Sequence, residues 1–214
     1  MAEHVYDEGL KNAAIIYANS DYNLGLKNVF EKVFTNLGGK IVATETYEQS
    51  ARDFKSQLTK IKAKNPDALY IVSYSEGGLI AKQARELGME MPFFAPEVFE
   101  SKDILDAGGD AVEGVVFTKP KFDAEAPQSA AVIAKYKEAY AEDPEFAAYM
   151  TNAYDATMLI AQALEEGKDI KRFLYDLKEY DGAGGKLTID QNGDAVKDFQ
   201  LMIIEAGKFV PYEA

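Results

Sequence analysis

Short apolar runs alternate with longer segments of helical period along the first half of the chain. The apolar runs predict five strands, at 13–17, 40–46, 68–73, 92–95 and 114–118. Between them, apolar residues that recur every three or four positions predict helices at 24–37, 53–64 and 76–87. This order is typical of a parallel sheet with right-handed crossover helices on both faces. The expected fold class is therefore α/β, with a parallel, flavodoxin-like (Rossmann-like) sheet.

The pattern changes after the segment TKPKFDAEAP, where turn-forming residues replace the strand signal. Helical period then predicts helices at about 129–141, 146–166 and 170–179. The glycine-rich stretch DGAGGKLTIDQNGD predicts a turn, a short strand and a second turn. A last apolar run, FQLMIIE, predicts a strand that joins a sheet. The second half should therefore be a mainly helical segment whose chain returns to a sheet at its end.

Charge and composition narrow the classes of partner. The chain has 214 residues and a net charge of −13, which repels nucleic acid and anionic membrane surfaces. With no cysteine, disulfides and thiolate metal sites are excluded, and the single histidine, His4, lies near the amino terminus. The first residues have neither the basic nor the apolar region of a signal peptide, so we expect a soluble chain without an export signal.

Two short motifs suggest ion binding but depart from the required pattern. GAGGK at 182–186 resembles a phosphate loop, yet Leu187 stands where a P-loop needs Ser or Thr. Asp190, Asn192 and Asp194 have a spacing similar to that of a calcium loop, without the later ligands and closing glutamate. We therefore expect a glycine turn and a solvated turn at these places, and no metal or cofactor.

The sequence also offers no complete set of catalytic residues. The adjacent acids Glu165 and Glu166 point to different faces of a helix, and the sequence contains no GxSxG nucleophile elbow. A phosphate-accepting receiver domain would share the strand pattern and the position of Lys119. It would also need acids after the first and third strands. The chain has Ala18 and Asn19 after the first strand and Tyr74 and Ser75 after the third. We expect no enzyme, and a flavodoxin-like signalling domain is the weakest alternative.

Polar and aromatic residues follow three of the predicted strands. Tyr22 comes after the first strand, Tyr74 after the third and Glu97 after the fourth. Because parallel strands end at one edge of their sheet, these side chains should gather where open α/β folds bind ligands. Aromatic rings suit an amphipathic ligand, and a carboxylate can pair with an ammonium group. The residues therefore predict a site for a small molecule that carries an amine.

A specific family resemblance emerges from longer motifs in their order along the chain. They include KNAAIIYANSDYNLGL, DFKSQLTKIKAKNPDALYIVSY, AKQARELGM, EGVVFTKPKFD, YDATMLIAQALEEG and DGAGGKLTIDQNGD. Together they resemble the extracytoplasmic solute-binding proteins of the branched-chain amino acid (Leu/Ile/Val) ABC transporters, which have the type I periplasmic binding protein fold. The resemblance implies a periplasmic or extracytoplasmic two-lobed receptor. Such a receptor clamps an amino acid and delivers it to a membrane ABC permease, without catalysis or cofactor.

The resemblance also assigns roles to individual residues. Tyr22 and Tyr74 match the family's tyrosines after the first and third strands of lobe two, and Glu97 matches the acid that accepts the ligand's ammonium group. Tyr149 stands where the family often places an aromatic residue from the other lobe. Ser75 adjoins Tyr74 and completes the implied ligand-binding set.

The resemblance finally implies how the chain divides. Residues 1–120 with 199–214 match lobe two, and 121–198 match the mainly helical remainder of lobe one. Family members carry a further N-terminal region that forms most of lobe one, so we expect a truncated receptor that lacks that half-lobe. Apolar faces of helices such as 150–164 would then be exposed, which predicts a homodimer or swapped oligomer. The alternative to a binding lobe is a half-receptor that oligomerises as an interaction fragment and binds no ligand.

Overall fold

The chain divides into two compact units. A computed structural model describes residues 1–144 and 146–213. The sheet unit comprises Met1–Lys119 and the segment from Gln200 onward, and the helical unit comprises Pro120–Phe199. Within the described residues, no helix is long and apolar enough to cross a membrane. The assignment of these units to two receptor lobes stays a prediction.

The strands and helices that the sequence pattern predicts are present, within a few residues of their predicted limits, and the structure adds two α-helices and three short strands. The strands are β1 (Asn12–Ala18), β2 (Lys40–Tyr47), β3 (Ala68–Val72), β4 (Phe93–Ala95), β5 (Val116–Pro120), β6 (Tyr180–Gly182), β7 (Gly185–Ile189), β8 (Ala195–Val196), β9 (Phe199–Glu205) and β10 (Lys208–Pro211). The helices are α1 (Ala2–Asp7), α2 (Asp21–Asn36), α3 (Lys55–Lys62), α4 (Gly77–Glu86), α5 (Lys102–Gly108), α6 (Pro127–Tyr140), α7 (Ala147–Glu165) and α8 (Ile170–Tyr175). Two 3-10 helices follow β4 and α5, at Glu97–Phe99 and Gly109–Val112.

The sheet unit contains a seven-stranded sheet in the order β10-β9-β5-β4-β3-β1-β2. Strands β1 to β5 pair with one another in the parallel direction. Their order, 2-1-3-4-5, is that of the flavodoxin-like fold. The apolar run FQLMIIE forms β9 beside β5, where Ile204 exchanges backbone hydrogen bonds with Gly114 and Val115. Strand β10 pairs with β9 in the antiparallel direction. The predicted α/β class is confirmed, with an antiparallel strand at one edge.

Helices cover both faces of this sheet. On one face, α3, α4 and α5 contribute Leu58, Ile80 and Ile104 to a fully buried core. On the other face, α1 and α2 contribute Val5 and Phe34 to a second core. Strand β3 (ALYIV) is buried along its whole length because it lies between these two layers. The continuous apolar runs of the sequence therefore come from strands that are covered on both sides.

Three helices of the sheet unit are each followed by a residue with a positive φ angle, at the positions where the sequence predicts that the helices end. Gly38 after α2 has φ +98°, Asn65 after α3 has φ +54°, and Gly88 after α4 has φ +71°. These are residues that tolerate the left-handed conformation at a helix end. The apolar period of α2 does not place every apolar residue in the core, because Val29 is 63% exposed and Leu37 is 38% exposed.

The glycine-rich stretch of the helical unit contains more strand than the sequence predicts. Strands β6 and β7 form a hairpin in which Gly182 pairs with Gly185, and β8 pairs with β7 after a second turn. Helix α8 ends earlier than predicted, at Tyr175, and Glu179 takes a φ of +50° just before β6 begins. The hairpin begins directly after the residues that the helical pattern assigned to a helix, and it lies in the stretch that the sequence assigned to a turn, a short strand and a second turn.

The single histidine of the chain packs inside the sheet unit. The His4 ring lies edge-on to Tyr212 at 5.0 Å and to Phe94 at 5.8 Å between ring centroids. Burial lowers the pKa of His4, and the Nδ1 atom is 4.0 Å from Glu8, whose charge opposes that effect. Helix α1 is therefore held against the sheet by an imidazole that is more easily neutral than a histidine in water.

We expect acid to weaken the packing of α1. Since the pKa of His4 is lower in the folded state, its contribution to stability is present above the unfolded value of about 6.5 and is lost as the pH falls below it. Urea unfolding between pH 7.5 and 5.5 should show a decrease in stability that the His4→Gln variant lacks. The same decrease in that variant would assign the pH dependence to other groups.

Candidate functional site

Tyr22 is fixed by the start of α2, directly after β1. Ser20 caps this helix, and its side-chain oxygen accepts a hydrogen bond from the Asn23 backbone N–H at 3.2 Å. The cap places Tyr22 in the first helical turn, at the carboxyl end of β1, where its side chain is 42% exposed. A turn of this kind presents a side chain at the edge of the sheet while its backbone stays fixed.

Tyr74 follows β3 in a tight turn that leads into α4. Its carbonyl oxygen accepts hydrogen bonds from the Gly77 backbone N–H at 3.1 Å and from Ser73 Oγ at 3.2 Å. The Tyr74 side chain is half-buried, and Ser75 next to it is exposed. The sequence-predicted residues Tyr74 and Ser75 therefore lie on the same turn at the carboxyl end of β3.

Glu97 begins the short 3-10 helix that follows β4, and this helix is anchored by Phe99, which is fully buried. Gly77 at the start of α4 allows the anchor to approach, because a Cβ atom there would lie 2.8 Å from Phe99 Cζ. A larger residue at Gly77 would push the two segments apart. This close approach sets the distance between the Tyr74 turn and Glu97.

The structure brings Tyr22, Tyr74 and Glu97 together at one edge of the sheet. The rings of Tyr22 and Tyr74 are stacked, with centroids 6.0 Å apart and planes inclined by 25°. The Tyr22 hydroxyl donates a hydrogen bond to Glu97 Oε1. Below them, burial raises the pKa of Tyr70, and the negative charge of Glu97 raises it further. Three strand ends thus combine two aromatic faces with one carboxylate.

Tyr149 belongs to the helical unit. It lies in the first turn of α7, is 59% exposed and contacts Phe146 edge-on at 6.3 Å between ring centroids. The nearby residue Glu145 lies outside the described residues. The proposed part of Tyr149 in ligand binding stays a prediction.

In the GAGG loop, residues 182–185, backbone N–H groups already donate hydrogen bonds to a side chain of the helical unit. The Asp155 carboxylate accepts hydrogen bonds from the backbone N–H of Ala183 at 2.9 Å and of Gly184 at 2.7 Å. Lys197 Nζ donates to the Gly184 carbonyl at 2.7 Å and to Asn152 Oδ1 at 2.5 Å. Amides that already bind a carboxylate cannot cradle a phosphate, so the expected glycine turn is the better account of this motif.

Asp155 was not predicted as a special residue. The only sign of its role in the sequence is its position on α7. It precedes the apolar residues Leu159 and Ala163 at four-residue steps, which puts the acid on the same helix face. All three are buried.

The second ion-binding motif is an ordinary turn. Asp190 Oδ1 accepts hydrogen bonds from the backbone N–H of Asn192 at 2.8 Å and of Asp194 at 2.9 Å. These backbone bonds, the one from Asp194 most of all, lower the pKa of the Asp190 carboxyl group. Across the described part of the chain, no cluster of three or more His, Asp or Glu residues could hold a metal ion.

Lys119, the residue that would fit a receiver domain, is engaged elsewhere. Its Nζ atom lies 2.5 Å from Glu100 Oε1, in a half-buried ion pair. At the strand ends where such a domain needs acids, the chain has Ala18 and Asn19 after β1 and Tyr74 and Ser75 after β3.

Comparison with known proteins identifies the family. The sequence profile of the periplasmic binding proteins matches residues 1–208. The chain belongs to the periplasmic binding protein family. This confirms the resemblance that the motifs carry, since the match extends over nearly the whole sequence.

Curated relatives share about a quarter of their residues with the chain. The leucine-, isoleucine-, valine-, threonine- and alanine-binding protein of Pseudomonas aeruginosa is 27% identical over 91% of the chain and 53% of its own length. The Leu/Ile/Val-binding protein of Escherichia coli is 26% identical over 90% of the chain and 52% of its length. The chain therefore spans about half the length of the curated relatives that it matches.

Solved structures show the same fold. A leucine binding protein of Thermotoga maritima matches 100% of the chain and 63% of its own length, with a TM-score of 0.84 and 32% identity. A branched-chain amino acid transporter substrate binding protein of Streptococcus pneumoniae, solved with isoleucine, has a TM-score of 0.74 and 28% identity over 97% of the chain and 61% of its own length. These matches place the mostly parallel sheet and its flanking helices in the type I periplasmic binding protein fold.

Proposed function

We propose that the sheet unit is the ligand-binding lobe of an ABC-importer solute-binding protein, which binds a small amino acid without catalysis. The observation that carries the proposal is the cluster of Tyr22, Tyr74 and Glu97 at the carboxyl edge of the sheet. Support also comes from the relatives, whose names describe binding of leucine, isoleucine and valine. A binding lobe needs no nucleophile, which fits the chemistry of this edge.

The chemistry of the cluster favours a ligand with an ammonium group beside an apolar side chain. The Glu97 carboxylate has about four acceptor positions, so the bond from Tyr22 aims it and still leaves capacity for an ammonium group. The stacked faces of Tyr22 and Tyr74 offer apolar area beside that charge. Ser75, exposed next to Tyr74, supplies a hydroxyl at the same edge. An α-amino acid with an aliphatic side chain meets these requirements.

The wider proposal concerns the whole receptor. The sheet unit would act as lobe two, and the helical unit would be the remaining part of lobe one, with Tyr149 as a further ligand-binding residue. By analogy with its relatives, the protein would work outside the cytoplasm and deliver its ligand to a membrane ABC permease. The chain spans about half of those relatives, and the groups that hold the ligand carboxylate would come from the part of the receptor outside this matched region.

Thermal unfolding with a panel of amino acids tests this function. A ligand that binds only the folded state stabilises it by RT ln(1 + [L]/Kd), or about 2.7 kcal/mol at one hundred times Kd. We expect millimolar leucine, isoleucine or valine to raise the unfolding temperature, and glutamate and lysine to leave it unchanged. Equal melting curves with every amino acid would contradict the proposal.

Tyr74 should contribute mainly through its aromatic ring. We expect Tyr74→Ala to weaken leucine binding by about 10-fold, because the ring covers apolar surface of the ligand, which contributes about 25 cal/mol for each Å² removed from water. Tyr74→Phe keeps the ring and should change the affinity by less than about 3-fold. Tyrosine fluorescence can follow the titration, since the chain has no tryptophan. A larger loss for the Phe variant than for the Ala variant would show that the hydroxyl carries the contact.

A second candidate function is an interaction fragment that oligomerises, as either a homodimer or a swapped oligomer. The observation in its favour is a set of exposed apolar side chains on α7: Met158 is 45%, Ile160 41% and Leu164 63% exposed. Such faces favour association. Light scattering should then give a mass of at least twice the 23.6 kDa of the chain, and a monomeric mass would count against this candidate.

A further inference from the structure

The segment between β2 and α3 is fastened to α4 by two buried polar side chains. Glu76 Oε1 accepts a hydrogen bond from the Ser50 backbone N–H at 2.8 Å. Two helical turns further along, Gln83 Oε1 accepts from the Phe54 backbone N–H at 2.7 Å, and its Nε2 donates to the Arg52 carbonyl at 2.8 Å. Glu76 and Gln83 are each only 7% exposed. These bonds join residues that are 26 to 31 positions apart in the sequence.

Glu76 makes this attachment at the end that lies beside the candidate site. It is the cap residue of α4 and the last residue of the turn that begins at Ser73 and carries Tyr74. Ser50, its partner, has a φ of +68°, a conformation that a serine keeps only where its surroundings fix it. The bond therefore joins the turn after β3 to a strained position in the segment after β2.

A second polar group lies close to Glu76 in the interior. Tyr47, the last residue of β2, is 3% exposed, and its ring packs edge-on against Phe54 at 4.9 Å between ring centroids. Burial raises the pKa of Tyr47, and the charge of Glu76 and the nearby Tyr74 raise it further. A hydrogen bond with Ser73 partly opposes this rise in the pKa of Tyr47, and in the described part of the chain Glu76 Oε2 is buried without a hydrogen-bond partner. A buried carboxylate oxygen in this state reduces the stability of the folded chain.

The same segment also reaches the strand end that carries Tyr22. The Asn19 backbone N–H donates to the Tyr47 carbonyl at 2.8 Å, and Asn19 Nδ2 donates to Glu48 Oε1 at 2.9 Å. The segment that follows β2 is thus bonded to the turn after β1 on one side and to the turn after β3 on the other. Movement of this segment would change the relative position of the two tyrosine rings.

We propose that Glu76 is a positioning residue of the amino-acid site, which holds the Tyr74 turn in register with the Tyr22 turn through the segment that follows β2. It acts through Ser50 and does not contact the ligand. The inference rests on the proposed function for its effect on affinity, whereas its effect on Tyr74 can be measured without ligand.

Four variants separate positioning from general stability. Glu76→Ala removes the acceptor, Glu76→Asp keeps the charge but shortens its reach, and Glu76→Gln keeps an oxygen that can accept from Ser50. Gln83→Ala is the matched control, because it removes two bonds to the same segment at a place two helical turns from the site. We expect the Kd for leucine to rise about 10-fold in the Ala and Asp variants and less than about 3-fold in the Gln and control variants.

A ligand-independent readout accompanies the titration. With ring-labelled tyrosine, the NMR signal of Tyr74, assigned by its loss in Tyr74→Phe, should shift or broaden in Glu76→Asp and stay in place in Glu76→Gln and Gln83→Ala. If leucine binds to no form of the protein, the proposed function fails and this signal alone decides the inference. If Glu76→Ala does not fold, the Asp and Gln variants make the same comparison. An unchanged Tyr74 signal in Glu76→Asp, or equal effects in Glu76→Asp and Gln83→Ala, would overturn the proposal.

Discussion

Glu97→Gln is expected to weaken leucine binding by about 10- to 100-fold, which is the largest loss for any single substitution at the site. A hydrogen bond to a charged group contributes about 1.5–3 kcal/mol, and a neutral amide loses the charge while it keeps the shape. The amide oxygen of the variant would still accept a hydrogen bond from the Tyr22 hydroxyl, so the stacked rings should stay in place. Calorimetric titration of the purified variant with leucine measures the effect.

Glu100→Gln is the matched control for this prediction. It removes the same charge three residues further along, from a carboxylate that is already paired with Lys119. We expect this variant to bind leucine within about 3-fold of the unchanged chain, because the charge of a paired, partly exposed carboxylate is largely screened. Equal losses in the two variants would mean that the net charge of the edge attracts the ligand and that Glu97 makes no specific contact.

The largest loss of stability is expected for Asp155→Ala, in the helical unit. The substitution leaves the buried amides of Ala183 and Gly184 without their acceptor, at about 1–3 kcal/mol for each. It also removes the negative charge beside Lys197, whose pKa is lowered by burial and raised in part by Asp155. We expect the free energy of unfolding of this unit to fall by about 3 kcal/mol or more, as measured by urea unfolding.

Two comparisons sharpen the Asp155 prediction. Asp155→Asn keeps one acceptor oxygen and should lose less stability than the Ala variant. Asp181→Ala removes an exposed acid whose carboxylate accepts a hydrogen bond from Gln128 at 3.1 Å, and should change stability by less than about 0.5 kcal/mol. Hydrogen exchange should accelerate at both the Ala183 and Gly184 amides in Asp155→Ala, at one of them in Asp155→Asn, and at neither in Asp181→Ala. Protected amides in Asp155→Ala would show that the loop holds its shape without the carboxylate.

The sequence predicts the sheet unit well because its strands are covered on both faces. Continuous apolar runs such as 68–72 stand out against helices with a regular period, and residues such as Gly38 and Asn65 mark where helices end. Strand order follows from the right-handed crossover rule, which leaves few alternatives. The position of Tyr22, Tyr74 and Glu97 at one edge then follows from the parallel direction of the strands.

Other features depend on contacts between residues that are far apart in the sequence. The hairpin of β6 and β7 has short strands rich in glycine, and its loop is fixed by Asp155, 28 residues earlier. Glu76 looks like any acid at the start of a helix, and only the fold shows that its partner is Ser50. Short 3-10 helices such as Glu97–Phe99 leave no period to detect. No local sequence pattern distinguishes Asp155 and Glu76 from exposed acidic residues.

The most direct test of the amino-acid site compares leucine with 4-methylpentanoate, which has the same side chain and carboxylate but no amino group. Both ligands would be titrated calorimetrically into the unchanged chain under identical conditions. The account predicts heat of binding for leucine and none for 4-methylpentanoate, because the ammonium group is the feature that Glu97 recognises. Equal binding of the two ligands, or binding of neither, would contradict it.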